Sequence, residues 1–275
     1  YLYYFSCHLV RSSCWPFVTS YALLVLVISL IWYLNFSSAY FFWLALIFFF
    51  YSVYGWFCDI TTESVDGFTT SLVSLGLSVG FLLFISSEVM FFFGFFWSYF
   101  HNCLNPSVFV GTWPPYLFNG IVVDPFGLPL LNTVLLLSSG VSVTFCHYCV
   151  LSNVYLELWS PTRPSRTHLQ WGYYFTLFYG ILFLSFQISE YISSYISINS
   201  TVYGSVFFLL TGFHGFHVVL GLILLSVSLL RVDYTMFSDF QHLGLECSIW
   251  YWHFVDVVWL FLYFFVYWYG YYIAW

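Results

Sequence analysis

The chain contains no lysine, and its only cations at neutral pH are four arginines, Arg11, Arg163, Arg166 and Arg231. A nucleic-acid surface needs clustered positive side chains to replace phosphate counterions, so four scattered guanidinium groups exclude that class of partner. Charged residues make up 5% of the 275 residues, against 62% hydrophobic. An ordinary soluble domain carries roughly 25% charged residues to keep its surface solvated, so a large water-soluble fold is excluded as well. Such a composition is at home in lipid, where apolar side chains face outward and each helix satisfies its own backbone polar groups.

Paired metal or redox motifs are also missing. The seven cysteines are Cys7, Cys14, Cys58, Cys103, Cys146, Cys149 and Cys247, and only Cys146 and Cys149 form a C-x-x-C. A zinc or thioredoxin-like site needs a second pair or a suitable neighbouring fold, so the pair is read as small apolar filler near a helix end. One H-x-x-H, His214 and His217, occurs without a second histidine cluster or a Glu-x-x-His repeat, so no bound metal is expected. The start, Tyr1-Leu2-Tyr3-Tyr4, carries no charged leader before a short apolar core. No removable targeting segment is therefore expected. The wealth of Phe, Tyr, Leu and Val beside the missing Lys fits a thymine-rich coding strand of the kind compact organelle genomes carry. A nuclear gene with balanced codons would argue against that hypothesis.

What is present is a series of long apolar runs. A span needs about 20 mainly apolar residues, and seven stretches qualify: residues 17–36, 40–57, 70–104, 129–151, 169–188, 202–230 and 247–272. The expected fold is all-α, integral to the membrane, and a single membrane domain over 1–275. Asp59, Glu63 and Asp66 are expected in an aqueous loop after the second span, and residues 105–128, with four prolines, in a longer one. Positive residues collect on the inner side of a membrane. With seven spans and an inside N-terminus, Arg11, Arg163, Arg166 and Arg231 all fall on that side.

Titratable groups within spans are costly and are functional candidates by default. Glu88 lies in the third span, His214 and His217 in the sixth, and His253 with Asp256 in the seventh. The i,i+3 spacing is expected to put His214 and His217 on one face, and the most economical partner for either is Glu88 across the helix interface. Glu88 then serves as a neutral structural carboxyl or in proton or lipid handling. His253 and Asp256 are read as a local pair anchoring the helix near its inner end. Gly76 and Gly80, a G-x-x-x-G, and Gly212 and Gly215 are expected where helices approach closely. Trp250, Trp252, Trp268 and Trp275 are expected at the membrane interfaces.

In order along the chain, the sequence resembles cytochrome c oxidase subunit III. The matching runs include Trp15-Pro16, Ser87-Glu88-Val89-Met90-Phe91-Phe92, Trp113-Pro114-Pro115, Pro129-Leu130-Leu131-Asn132-Thr133 and Thr211-Gly212-Phe213-His214-Gly215-Phe216-His217. The most specific is Trp250-Tyr251-Trp252-His253-Phe254-Val255-Asp256-Val257-Val258-Trp259. The resemblance implies a two-helix plus five-helix arrangement with a lipid-filled cleft. It also implies a non-catalytic subunit without redox centre or catalytic residues of its own. Phospholipids would be bound, while haem a and copper would lie in partner subunits. Its implied partners are subunit I as the main contact, subunit II and accessory subunits of respiratory complex IV, and its place is the mitochondrial inner membrane. Glu88 stands at the family's buried reactive carboxylate, and Trp56, Glu63, His214 and His217 match positions at the lipid cleft. The basic residues usual after the second span are absent here. Segment Asn153–His168 reads as an added inner loop for an accessory subunit. Two rival classes are a transporter relaying protons through Glu88 and the histidines, which inverted repeats or broken helices would favour, and a haem or iron enzyme.

Overall fold

A computed structural model describes residues 12–67, 69–106, 113, 123–151, 164–234, 236–237 and 242–273. Arg11, Arg163, Trp275 and the expected inner loop as far as Arg163 lie outside them. The described residues hold seven helices long and apolar enough to cross a membrane. They are α1 (Trp15–Phe36), α2 (Tyr40–Val65), α3 (Ser71–Leu104), α4 (Leu128–Leu151), α5 (Pro164–Ser193), α6 (Val202–Asp233) and α7. The last starts as α-helix over Leu243–Leu262, widens to a π-helix over Tyr263–Tyr269 and closes with Gly270–Ile273.

The helices overrun the hydropathy pattern at their ends. Asp59 and Glu63 form part of the last turns of α2 rather than a loop, and Asp66 and Gly67 form the turn that follows it. Gly67 does so at φ 83°, a left-handed conformation that suits glycine. Likewise Thr167 and His168 lie in α5, not in a connecting loop. A helix can continue past the hydrocarbon region because its backbone bonds are internal; hydropathy marks where lipid ends, not where the helix does.

Residues Tyr1–Leu77 and Ser78–Trp275 form two compact units. In the first, α1 and α2 pair as a hairpin closed by Ser37, which sits at φ 57° and donates its N–H to Tyr33 O at 2.9 Å. Small residues line the seam: Ala22, Ser29, Ala45 and Ser52 are buried. Small side chains let helices in lipid approach closely. Each seam serine also satisfies its hydroxyl on its own helix, Ser29 on Leu26 O and Ser52 on Phe49 O, both at 2.8 Å. At one end the Trp15 ring lies over Gly55, where any Cβ would collide with it.

In the second unit α4, α5, α6 and α7 pack in cyclic order, each against its neighbours, with α4 and α5 the most extensive pair. Glycines mark the close approaches. A Cβ on Gly172 would strike Cys146 Sγ, one on Gly180 would lie 2.6 Å from Leu222, and one on Gly221 2.8 Å from the Trp252 ring. The expected contact glycines are elsewhere: Gly76, Gly80, Gly212 and Gly215 have open space at the Cβ position. Gly76 and Gly80 are exposed, and Gly212 and Gly215 half-buried.

Trp252 is a correction of the same kind. It is 0% exposed and donates its indole N–H to Ser139 Oγ at 3.0 Å, so it belongs to the core and not to an interface. Trp259 donates to Thr133 Oγ1 at 3.0 Å in the same manner. A buried indole needs such a partner, and α4 provides one for each. Trp250 and Trp268 are half-buried. α3 joins through aromatic rings rather than close backbone contact, Phe91 on Phe213 at 5.0 Å and Phe100 on Phe265 at 5.1 Å. At one end of the unit Gln170 Nε2 donates to Asp233 Oδ1 at 2.5 Å. The start of α5 and the end of α6, with Arg166 and Arg231 nearby in sequence, therefore share one level.

Candidate functional site

α3 presents Glu88 and α6 presents His217, whose Nε2 lies 2.9 Å from Glu88 Oε2. The other imidazole nitrogen of His217 lies 2.6 Å from Phe213 O. A carbonyl can only accept, so Nδ1 carries a proton. One further proton must then sit between Nε2 and Oε2, held either by a neutral carboxyl or by an imidazolium facing a carboxylate. In both forms the pair is neutral as a whole, which is what an apolar setting requires. The setting is aromatic: the rings of Phe92, Phe254 and Tyr251 lie 5.1, 6.2 and 6.3 Å from the imidazole.

His214 does not share this site. Its Nε2 donates to Val255 O of α7 at 3.2 Å, and the ring packs between Phe183 and Trp259. The two imidazoles were expected on one face, but at i,i+3 they splay enough for one to meet α3 and the other α7. His253 and Asp256 pair loosely, Nδ1 to Oδ2 at 3.8 Å. Their place is deeper than a helix end: Asp256 lies about three and a half turns beyond Leu243. Its Oδ2 would be 2.6 Å from a Cβ on Gly140, midway along α4. Trp56, exposed, and Glu63, half-buried, both lie on α2 in the other unit.

A second polar cluster escaped the sequence reading. Asn132 Nδ2 donates to Gln187 Oε1 at 3.4 Å, Gln187 Nε2 to Tyr267 Oη at 3.4 Å, and Tyr267 Oη to Glu190 Oε1 at 2.8 Å. Glu190 is 4% exposed. The apolar stretch expected for this span closes at residue 188, which leaves Glu190 just outside it. The available signal was Gln187 and Glu190 at i,i+3 on one helix face. Tyr267 lies in the π-helical stretch, a widening that often occurs where a helix must redirect a side chain.

An apolar groove of about 770 Å³ runs between α3 and α7, walled by Phe92, Phe96, Trp97 and Phe261, with His101 and Asn105 at its rim. Among the described residues no group of three or more His, Cys, Asp or Glu is arranged to hold a metal ion.

Seven spanning helices with an interior of paired polar groups define a polytopic α-helical membrane protein. Comparison with known proteins makes the class specific. The family described as cytochrome c oxidase subunit III matches residues 5–271. The chain is 44% identical over 266 residues to cytochrome c oxidase subunit 3 of Pisaster ochraceus, covering 96% of this chain and 97% of that one. It is 42% identical over 270 residues to the subunit 3 of Triticum aestivum, with 96% and 97% covered. The figure for Drosophila melanogaster is 41% over 266 residues, with 96% of both chains covered. The chain belongs to the cytochrome c oxidase subunit III family.

Proposed function

We propose that this chain is a non-catalytic core subunit of a cytochrome c oxidase in the mitochondrial inner membrane, with its N-terminus on the matrix side. It stabilises subunit I, contacts subunit II and accessory subunits, holds phospholipid and supports proton uptake while the complex reduces oxygen to water. The observation that carries this reading is likeness to named oxidase subunits over nearly the whole length of both chains. Haem a and copper belong to the partner subunits in this account.

Two features of the chain give the reading physical content. Glu88 and His217 hold one exchangeable proton between them in an aromatic cage, so the site is suited to proton holding as well as to joining α3 to α6. The α3–α7 groove, apolar along its walls and polar at one rim, suits an acyl chain with its headgroup at the rim. The test is to strip this chain from the purified oxidase and compare haem content, turnover and proton uptake before and after. The proposal expects haem retained and proton uptake slowed. Haem lost in proportion to the chain would contradict a non-catalytic role.

A further inference from the structure

The seam between α4 and α7 carries polar groups at a depth where lipid offers them no partner. Asp256 Oδ2 occupies space that a side chain on Gly140 would take, 2.6 Å from the Cβ position. Gly140 stands about 17 Å from either end of α4, which is the middle of a span across a hydrocarbon layer about 30 Å thick. His253 precedes Asp256 by three residues on α7 and so lies within about 5 Å of that level along the helix.

The two side chains differ in access. Asp256 is sealed, its side chain 9% exposed and its Oδ1 buried without a partner. His253 has 41% of its side chain exposed. Its Nδ1 lies 3.8 Å from Asp256 Oδ2, beyond hydrogen-bond length, and neither ring nitrogen makes a hydrogen bond among the described residues. The buried side-chain atoms that lack a partner include Asp256 Oδ1 but neither nitrogen of His253, so the imidazole is open to contact from outside the chain. Its neighbours do not meet the need. Thr144, one turn from Gly140 on α4, donates its hydroxyl to Gly140 O at 2.6 Å. His147, a turn further on, is an electrostatic neighbour of His253 with no hydrogen bond to it. Val257 and Leu260, beside His253 on α7, are exposed and apolar.

Hydrocarbon supplies neither donor nor acceptor, so a half-exposed imidazole at this depth needs a polar partner. Asp256 sets what kind. With Asp256 ionised, the proton of a neutral imidazole is favoured on Nδ1 and Nε2 needs a donor. With Asp256 neutral, the proton can sit on Nε2, which then needs an acceptor. A hydroxyl serves either form. We propose that the α4–α7 seam around His253 is an assembly surface, covered by a transmembrane helix of a partner subunit that brings a serine, threonine or tyrosine hydroxyl to His253 Nε2. The inference deepens the oxidase reading and rests on it for the existence of partner subunits.

The experiment purifies the intact assembly through this chain and reconstitutes it in bilayers containing a phospholipid with a diazirine midway along its acyl chain. Haem a absorbance of the same sample checks the oxidase reading separately, so a sample without haem a sinks that reading whatever the seam shows. After irradiation, peptide mass spectrometry should find carbene adducts elsewhere on the assembly and none at His253, Val257 or Leu260. Native mass spectrometry after a detergent challenge should find one partner subunit retained about threefold less or lower with His253→Leu, the worth of a hydrogen bond between helices in a membrane. His253→Gln, which keeps a donor and an acceptor, should restore most of it. The labelling needs no variant and stands should His253→Leu fail to assemble. Adducts at His253 and Val257 in the assembled complex would overturn the proposal in favour of lipid. Equal retention by His253→Leu and the parent, or loss of a second copy of this chain in place of a different subunit, would overturn it as well.

Discussion

His217 Nε2 lies 2.9 Å from Glu88 Oε2, and because His217 Nδ1 is committed to Phe213 O, that contact holds a single proton. Two helices far apart in sequence, α3 and α6, are thereby joined inside the apolar part of the protein. Replacing Glu88 should separate joining from proton exchange. Glu88→Gln can still donate to the bare Nε2 of a neutral imidazole, whereas Glu88→Leu leaves that nitrogen unpaired, at a cost of about 1–3 kcal/mol. Thermal unfolding in detergent should find Glu88→Gln close to the parent and Glu88→Leu clearly lower. Equal losses would show that the pair is ionic and not neutral.

Ser139 offers a narrower test of the core. Its hydroxyl already bonds Leu136 O at 2.6 Å and accepts from Trp252 at 3.0 Å. Ser139→Ala removes little volume but strands a buried indole N–H, so it should cost about 1–3 kcal/mol. Ser138, whose hydroxyl bonds only Leu135 O at 2.7 Å in its own helix, should tolerate alanine. Unfolding midpoints that fail to separate the two variants would contradict the Trp252–Ser139 bond.

The glycines distinguish contacts inside the chain from contacts outside it. Gly180→Ala and Gly221→Ala drive a methyl into Leu222 or Trp252 and should cost about 1–3 kcal/mol through overpacking. Gly212→Ala and Gly215→Ala meet open space and should leave the isolated chain unchanged. If these last two weaken co-purification with partner subunits while stability holds, their side of α6 is an assembly surface. A loss of stability in the isolated chain would contradict the placement of α6.

Much of the fold was legible because hydropathy reports directly on lipid exposure, and seven long apolar runs leave few alternatives. The helix ends were not, since Asp59, Glu63 and His168 carry polarity into regular helix beyond the lipid. Trp252 shows a second limit. Trp at a helix end and Trp in a helix-bundle core look alike in sequence, and Ser139, which decides between them, lies on another helix. Glu88 and His217 were readable as costly polar groups needing one another. Glu190 was lost because the apolar stretch ends at residue 188 while the helix runs on to Ser193, and its partner Tyr267 is placed by a π-helical stretch that residue composition does not announce.

Orientation is tested through Cys14, exposed just before α1. With the N-terminus on the matrix side, a membrane-impermeant thiol reagent should label Cys14 in inverted inner-membrane vesicles and not in vesicles of native orientation. Labelling from the opposite side would reverse the assigned topology.

The most direct measurement is purification through this chain in mild detergent, followed by an optical spectrum and mass spectrometry of the product. The account predicts haem a absorbance, with oxidase subunits I and II present alongside the chain. A stable, colourless chain recovered alone would contradict its role as an oxidase subunit.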